Sequence, residues 1–464
     1  MRKSVGIDDI AVYVPRLYLE LADGDHPDKA TEFSTARKTE PRKYLQGIGT
    51  AKMSIPDTYQ DSAVLAANAI YELMERNNIS PDKVGRIDVA TETGVDESKP
   101  VAAYVHGMLE ERYGKGTLRR ASGVEYKFAC VSTADALESS LDWMWAGRSN
   151  GRYSIVCSTD IARYPLVSPG EPTQGAGAVA LLVKEEPRLL ECDPIVGTYM
   201  EDEDDFWRPL FSTTAVVHGK HSERCYLKAM EGAVDDWAEQ AKASGLVKLG
   251  PGEALTDRIG PISFHVPYPK MAEKGFAYLL RHFWRGLPRW EEVVREIGNE
   301  PTPGHFRTRE ELEKAEHEYM KRFMEMSRFQ SEYKEKVSDG LTHARESGNS
   351  YSASEKSCLS MLLETKARKG VDLAGKRGGS GNYGSGCKAK VSSWTLQEEW
   401  ITVAKKFGHA EKMDHRRPIS LMEYETLHEG NQFPDGRKLV VEPENEFVLI
   451  DVTSQGYRHY KYAD

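Results

Sequence analysis

The stretch EYKFACVSTADAL, residues 125–137, sets Cys130 where a short apolar run meets a segment of helix-forming composition that begins with Ser and Thr. A cysteine at a helix N-terminus feels the positive end of the helix dipole and nearby backbone N–H groups, which raise its thiolate fraction. Cys130 is therefore a candidate nucleophile, with a buried packing thiol as the alternative. FHVPYP, residues 264–269, ends an apolar strand with His265, and two prolines then stop the strand. An imidazole there can donate a hydrogen bond into a cavity or exchange protons near neutral pH, although a satisfied core histidine is the plainer alternative. DVATETG, residues 88–94, ends another strand with Glu92 among small residues, where partial burial raises a carboxyl group towards the range of a useful base. ESGNSYSAS, residues 346–354, places Asn349 ahead of a helix-like run, as a cap or as a polar ligand.

Two glycine-rich stretches accompany these, EPTQGAGAVALLV (171–183) and GKRGGSGNYGSGC (375–387). Neither is a Walker loop or a GxGxxG between strand and helix, so phosphate-cradling and dinucleotide readings are weak. Glycines also let backbone approach a ligand closely and offer N–H donors to an oxyanion.

The elements that must position these residues alternate in type. Strand-like VGIDDIAVYVP, helical DSAVLAANAIYELMERNNI, then VGRIDVATETG, GRYSIVCSTDIARY and AGAVALLVKEE imply a layered α/β fold. A second series begins near residue 260, so two α/β halves are expected, 1–190 with the cysteine and 191–464 with the histidine. Residues 285–347 are charged and helical in period, and read as solvated surface helices. Residues 393–440 read as a polar, irregular excursion because of their Pro and Gly.

With 39% hydrophobic and 29% charged residues over 464, the chain reads as a soluble globular protein. It has no run of 18 apolar residues and no signal-like N-terminus, so a cytoplasmic location is expected, with no membrane partner. The net charge of −10 is spread along the chain, which argues against nucleic acid as a partner. The six cysteines show no CxxC pair and no paired metal spacing, as expected of reduced thiols.

Taken in order, VGIDDIAVYVP, ATETGVDESKP, FACVSTADAL, TDIARY with EPTQGAGAVALLV, DFWRP with HGKHSERCYL, FHVPYPKM, GNSYSAS and NYGSGC resemble the hydroxymethylglutaryl-CoA synthase family, and most of all its longer archaeal members. The resemblance implies a thiolase-like fold, two similar halves in an αβαβα arrangement, and condensation of acetyl-CoA with acetoacetyl-CoA in the mevalonate pathway. It casts Cys130 as the acylated nucleophile, Glu92 as general acid/base and His265 as the group orienting the acetoacetyl moiety. Asn349 becomes a hydrogen-bond donor to the second substrate's carbonyl. Tyr383 and Ser385 fall in a loop beside the thioester, and Lys270 where a basic residue meets the CoA phosphates. The resemblance implies no metal or cofactor, a homodimer, and an acetoacetyl-CoA thiolase as a partner.

Some residues depart from the family's pattern. Gly378, Gly379 and Ser380 replace bulky aliphatic residues before the loop, which argues against a firm strand there. Val131 follows the nucleophile where a small or aromatic residue is more familiar, Ser352 completes GNSYS, and His218 stands where the family often shows Asp. Two alternatives are a relative acting on carrier-protein thioesters in polyketide β-branching, and a catalytically silent scaffold. DFWRP and HGKHS favour the synthase over the first. Retention of the Cys, Glu and His argues against the second.

Overall fold

Nine strands build one twisted sheet in the computed structural model, which describes residues 3–464. They are β1 (Val5–Tyr13), β2 (Val84–Ala90), β3 (Glu125–Tyr126), β4 (Tyr153–Ile161), β5 (Ala176–Glu185), β6 (Leu190–Met200), β7 (Ile262–Phe264), β8 (Arg377–Gly384) and β9 (Lys388–Leu396). Their order is β7-β8-β9-β6-β1-β5-β4-β2-β3. Strands β1–β5 lie on one side of a seam and β6–β9 on the other. At the seam β1 and β6 pair only through Gly6 with Glu191 and Ile7 with Leu190.

The helices are α1 (Ser62–Arg76), α2 (Val101–Tyr113), α3 (Ser132–Trp145), α4 (Gly219–Ala243), α5 (Pro269–Trp284), α6 (Pro288–Ile297), α7 (Arg309–Glu325), α8 (Ser327–Lys336), α9 (Ser338–Ser347) and α10 (Ser354–Arg368). Side chains alternate across a strand, and β5 uses this to serve two layers. Val179, Leu181 and Val183 pack with α3 and α10, whereas Ala178, Ala180 and Leu182 pack with α1. Helix α10 is buried continuously from Ser354 to Glu364 and touches strands on both sides of the seam. A helix apolar or paired all round belongs inside a layered core. Its buried Lys356 is accordingly paired with Glu355 at 2.8 Å and donates to Ser380 Oγ. Helix α4 covers β6 and β9 on the far side of the seam, so helices pack on the sheet in both halves.

The charged segment 285–347 is helical as expected, but it is not a set of merely solvated helices. Val293, Ile297, Tyr319, Phe323 and Phe329 turn inward onto Phe276 and Trp284. The charges occupy the other face, and charge density hid the apolar stripe in the sequence. Segment 393–440 also differs from expectation. Residues 393–396 complete β9, and short helices follow at Trp400–Ala404, His409–Asp414 and Leu421–Glu429. Gly408 and Gly430, at φ +63° and +71°, cap two of these helices, so glycine here punctuates structure. Among the described residues no helix is long and apolar enough to cross a membrane.

The glycine-rich approach to the loop is a strand after all. β8 pairs on both sides, in parallel with β7 and antiparallel with β9. The bulk its own residues lack comes from neighbours. A Cβ on Gly378 would lie 2.1 Å from the Trp394 ring, and one on Gly381 would lie 2.3 Å from Met230. Ser380 Oγ accepts from Trp394 Nε1 at 3.1 Å. Restoring bulk with Gly378→Leu should therefore destabilise the fold, by about 1–3 kcal/mol or more. Urea denaturation checks this, and a variant as stable as the parent would refute the packing argument.

Candidate active site

Cys130 sits in a tight turn that feeds α3. Val131 N–H donates to the Phe128 carbonyl, and Ala129 is held at φ +41°, a left-handed conformation that strains a non-glycine residue by roughly 1–3 kcal/mol. The turn lifts the thiol out of the β3–α3 connection and aims it at Glu92. Cys130 Sγ donates to Glu92 Oε1 at 3.0 Å, and both groups are buried. Burial, then the neighbouring Asp160 charge, pushes the Glu92 carboxyl up to about 8. Burial, then the Glu92 charge, pushes the Cys130 thiol well above its ordinary value.

Glu92 is located by its backbone. Asp160, fully buried at the end of β4, accepts from the N–H groups of Glu92 and Thr93 at 3.0 and 2.9 Å, and from the Thr91 and Thr93 hydroxyls at 2.8 and 2.6 Å. Its second oxygen accepts from Ser352 N–H at 3.0 Å and from the Ser352 hydroxyl. One carboxylate therefore ties the Glu92 loop to the segment 349–354. Arg208 donates to the Glu92 carbonyl from the DFWRP strap.

The segment 349–354 also reaches Cys130 and His265. Tyr351 packs against Cys130 and Ala162. Asn349 Oδ1 accepts from Tyr351 N–H at 2.8 Å, which fixes the orientation of the amide and leaves Nδ2 as a donor with no partner among the described residues. Ser354 Oγ lies 2.7 Å from His265 Nδ1 and accepts from Val266 N–H at 3.3 Å. Ser354 keeps its proton and a second lone pair for Nδ1, so the contact fixes the position of the ring and serves either tautomer. Burial pushes His265 down to about 3, so the ring is neutral. The Tyr226 hydroxyl and Gly381 carbonyl hold the His265 backbone.

Tyr383, expected in a loop, lies near the end of strand β8, and Ser385 opens the loop that follows it under the nucleophile turn. A Cβ on Gly384 would lie 2.7 Å from the Phe128 carbonyl and 2.8 Å from Val131, so this loop and the Cys130 turn are in contact. Tyr383 donates to Asp205 at 2.8 Å, and Asp205 also accepts from Gly386 N–H and the Ser222 hydroxyl. Ser385 is half-buried beside them. His218 takes up the Asp204 carbonyl and stacks edge-on against Trp207. Lys270 stands apart from the thiol. It pairs with Glu273 at 2.6 Å and lines a cavity of about 350 Å³ with Lys274, His317 and Lys321.

A buried thiol on a carboxylic acid, beside a neutral histidine and a free amide donor, suits acyl transfer followed by carbon–carbon bond formation. Comparison with known proteins bears on the same chemistry. Residues 1–187 match the family model described as hydroxymethylglutaryl-coenzyme A synthase N terminal, and residues 191–446 match its C-terminal counterpart. The chain belongs to the hydroxymethylglutaryl-CoA synthase family. It is 33% identical to the hydroxymethylglutaryl-CoA synthase of Haloferax volcanii, over 99% of this chain and 100% of that one. It is 31% identical to that of Schizosaccharomyces pombe, over 91% and 89%. Among solved structures it is similar to MvaS in complex with 3-hydroxy-3-methylglutaryl coenzyme A, with a TM-score of 0.81, 32% identity and full coverage of both chains. The synthase is thus a condensing, acyl-transferring enzyme of the mevalonate pathway with a thiolase-like fold.

Several residues of the synthase's site escaped the reading of its sequence. Asp160, Asp205, Arg208 and Ser354 each looked like an ordinary polar residue at a strand end, strap or helix start. The available signal was Asp160 itself, a carboxylate closing the strand YSIVCSTDI, whose other residues are apolar, small or hydroxylic.

Proposed function

We propose that the synthase joins acetyl-CoA to acetoacetyl-CoA through an acetyl thioester on Cys130. The contact that supports this most is the 3.0 Å approach of the thiol to Glu92. In the first stage the Cys130 sulfur attacks the thioester carbonyl, CoA leaves as its thiol, and acetyl-cysteine remains. The thiol proton then no longer occupies Glu92. In the second stage the Glu92 carboxylate takes a proton from the acetyl methyl, and the enolate oxygen is stabilised by backbone N–H groups of the nucleophile turn. The carbanion attacks the ketone carbon of acetoacetyl-CoA, whose oxygen is polarised by His265 and Asn349 Nδ2–H and takes up a proton as the bond forms. Water finally cleaves the thioester, releasing hydroxymethylglutaryl-CoA and the free thiol.

Intact-protein mass spectrometry after incubation with acetyl-CoA alone tests the scheme. An acetyl adduct on Cys130 that discharges when acetoacetyl-CoA is added supports it. A folded protein without the adduct contradicts it, and points to a carrier-protein donor or a silent scaffold.

Because Glu92 must be ionised to accept the methyl proton, only its deprotonated fraction condenses. That fraction falls about tenfold for each pH unit below a group's pKa. The single-turnover condensation rate of the acetyl-enzyme should therefore climb with pH through about 8, the value of Glu92 in the free enzyme, and level off above it, because acetylation removes the thiol hydrogen bond that holds the carboxyl down. A rate independent of pH between 6 and about 8 would remove Glu92 from the base role.

Lys270, Lys274 and Lys321 are the lysines of this cavity, set among Glu273 and Glu325, and would meet CoA phosphates. Lys270→Glu should raise KM for acetyl-CoA by roughly tenfold while leaving the limiting rate of acetylation within about twofold. A drop in that rate with unchanged KM would place Lys270 elsewhere in the mechanism. Helices α7 and α8 contribute to the same cavity, so the charged insertion belongs to substrate capture in this scheme.

The reaction needs no metal or cofactor, only the two CoA thioesters. We further propose two halves, 1–190 and 191–464, a cytoplasmic location and a homodimer. An acetoacetyl-CoA thiolase would supply the second substrate. Light scattering on the purified chain tests the dimer.

A further inference from the structure

Helix α4 starts beside the Asp205 strap, and one face of its first turns carries His221 and Cys225, four residues apart and so on the same side. Glu203 reaches this face from the segment after β6. His221 Nε2 lies 3.0 Å from Glu203 Oε2 and 3.7 Å from Cys225 Sγ, and the three ligand atoms all lie within 4.8 Å of one another. Ion–ligand bonds of about 2.0–2.3 Å at tetrahedral angles give ligand–ligand edges of roughly 3.4–3.6 Å, which the 3.0 and 3.7 Å separations bracket, while the sulfur, also 3.8 Å from Nδ1, must turn towards Nε2 to complete the sphere. The thiol is buried while the imidazole and carboxylate are half-exposed, which leaves a path for an ion to enter. A second cluster, Glu231, Asp235 and His282, differs in a decisive way. There Nε2 of the histidine faces Asp235 and Nδ1 faces Glu231, so the groups do not converge on one ion.

We propose that Glu203, His221 and Cys225 form a binding site for a zinc-class divalent cation, outside the catalytic machinery. One thiolate, one imidazole and one carboxylate match the ligand preference of Zn²⁺ over Mg²⁺ or Ca²⁺, which take oxygen. Coordination displaces the Cys225 thiol proton to solvent, and the fourth position is open to water or to Cys387, whose thiol lies beside Cys225. The site was invisible in a search for cysteine pairs, because its third ligand comes from another element. Its place gives it a consequence. Glu203 N–H donates to the Gly386 carbonyl at 2.9 Å, and Asp205, two residues on, holds Tyr383 and Gly386. A bound ion would therefore clamp helix α4 to the loop beneath the nucleophile turn.

The test is a titration of the full-length, chelator-treated protein with Co²⁺, read by thiolate-to-cobalt charge-transfer absorbance and the intensity of the d–d bands, followed by displacement with Zn²⁺. One equivalent of tetrahedral cobalt is expected, with Mg²⁺ unable to displace it. Affinity should fall by roughly 100-fold in Cys225→Ala and in His221→Leu, and stay unchanged in Cys130→Ala. His221 is on the surface, so the His221→Leu protein keeps the result readable if Cys225→Ala fails to fold. Absence of saturable binding, unchanged affinity in both α4 variants, or loss of the signal in Cys130→Ala would each overturn the proposal.

Discussion

Replacing Glu92 by alanine should leave acetylation of Cys130 in place while the condensation step slows by roughly 10²–10⁴-fold, the usual contribution of a positioned general acid or base. Replacing Cys130 by alanine should abolish both stages. The asymmetry follows from charge. The thiol is disfavoured as an anion by burial and then by the Glu92 carboxylate, so removing Glu92 eases formation of the thiolate even as it removes a proton acceptor. The methyl proton of the acetyl-enzyme has no such alternative, because among the described residues no other carboxylate bonds the Cys130 sulfur. Mass spectrometry after acetyl-CoA, with single-turnover product formation on the same samples, separates the stages. If Glu92→Ala loses the adduct as completely as Cys130→Ala, the assignment of separate roles fails.

Asp160 should prove nearly as costly to remove, although it touches no reacting atom in this scheme. Asp160→Ala strands two buried backbone N–H groups, those of Glu92 and Ser352, at about 1–3 kcal/mol each, while Thr93 N–H keeps Thr91 Oγ1 as an acceptor at 3.0 Å. A loss of roughly 2–6 kcal/mol is expected, a large part of the 5–15 kcal/mol that holds a typical domain folded. Asp160→Asn keeps the shape and one accepting oxygen, and it separates positioning from simple stability. The Asp160 charge is second only to burial among the causes that raise Glu92, so the neutral amide should move the pH limb of condensation to lower pH. Denaturation midpoints and the pH profile together decide the matter. A profile that stays near 8 in the asparagine variant would restrict Asp160 to holding the fold.

The parts of the site legible in the sequence were those with unusual residue types in telling places. Cys130 before a run of small residues, His265 before two prolines and Glu92 ending a β-branched strand all lie where side chains leave a sheet for a cavity. Their partners were hidden because partnership is a property of packing. Nothing in GNSYSAS announces that Ser352 meets Asp160 and Ser354 meets His265, since both pairs are formed between segments almost 100 residues or more apart. The fold class was legible from alternation of strand and helix, and the glycine strand was misread for a reason that generalises. Gly378 has no side chain of its own because Trp394 fills that volume from the adjacent strand. Charge likewise concealed the apolar face of 285–347, where Phe323 and Phe329 are fully buried.

The seam between the two sets of strands limits how this molecule can move. The link from β5 to β6 is only residues 186–189, and Gly6 passes so close to the Leu190 carbonyl that a Cβ would stand 1.9 Å from it. A hinge needs slack, and here there is none, while α10 is wedged against strands on both sides. Swinging the sheets apart like a clamshell would tear the central helix from its packing, far beyond the cost of an ordinary gating step. Traffic of bulky thioesters in and out must then be managed by the straps and insertions around the rim, and turnover will be paced by how fast those peripheral segments breathe over a fixed interior.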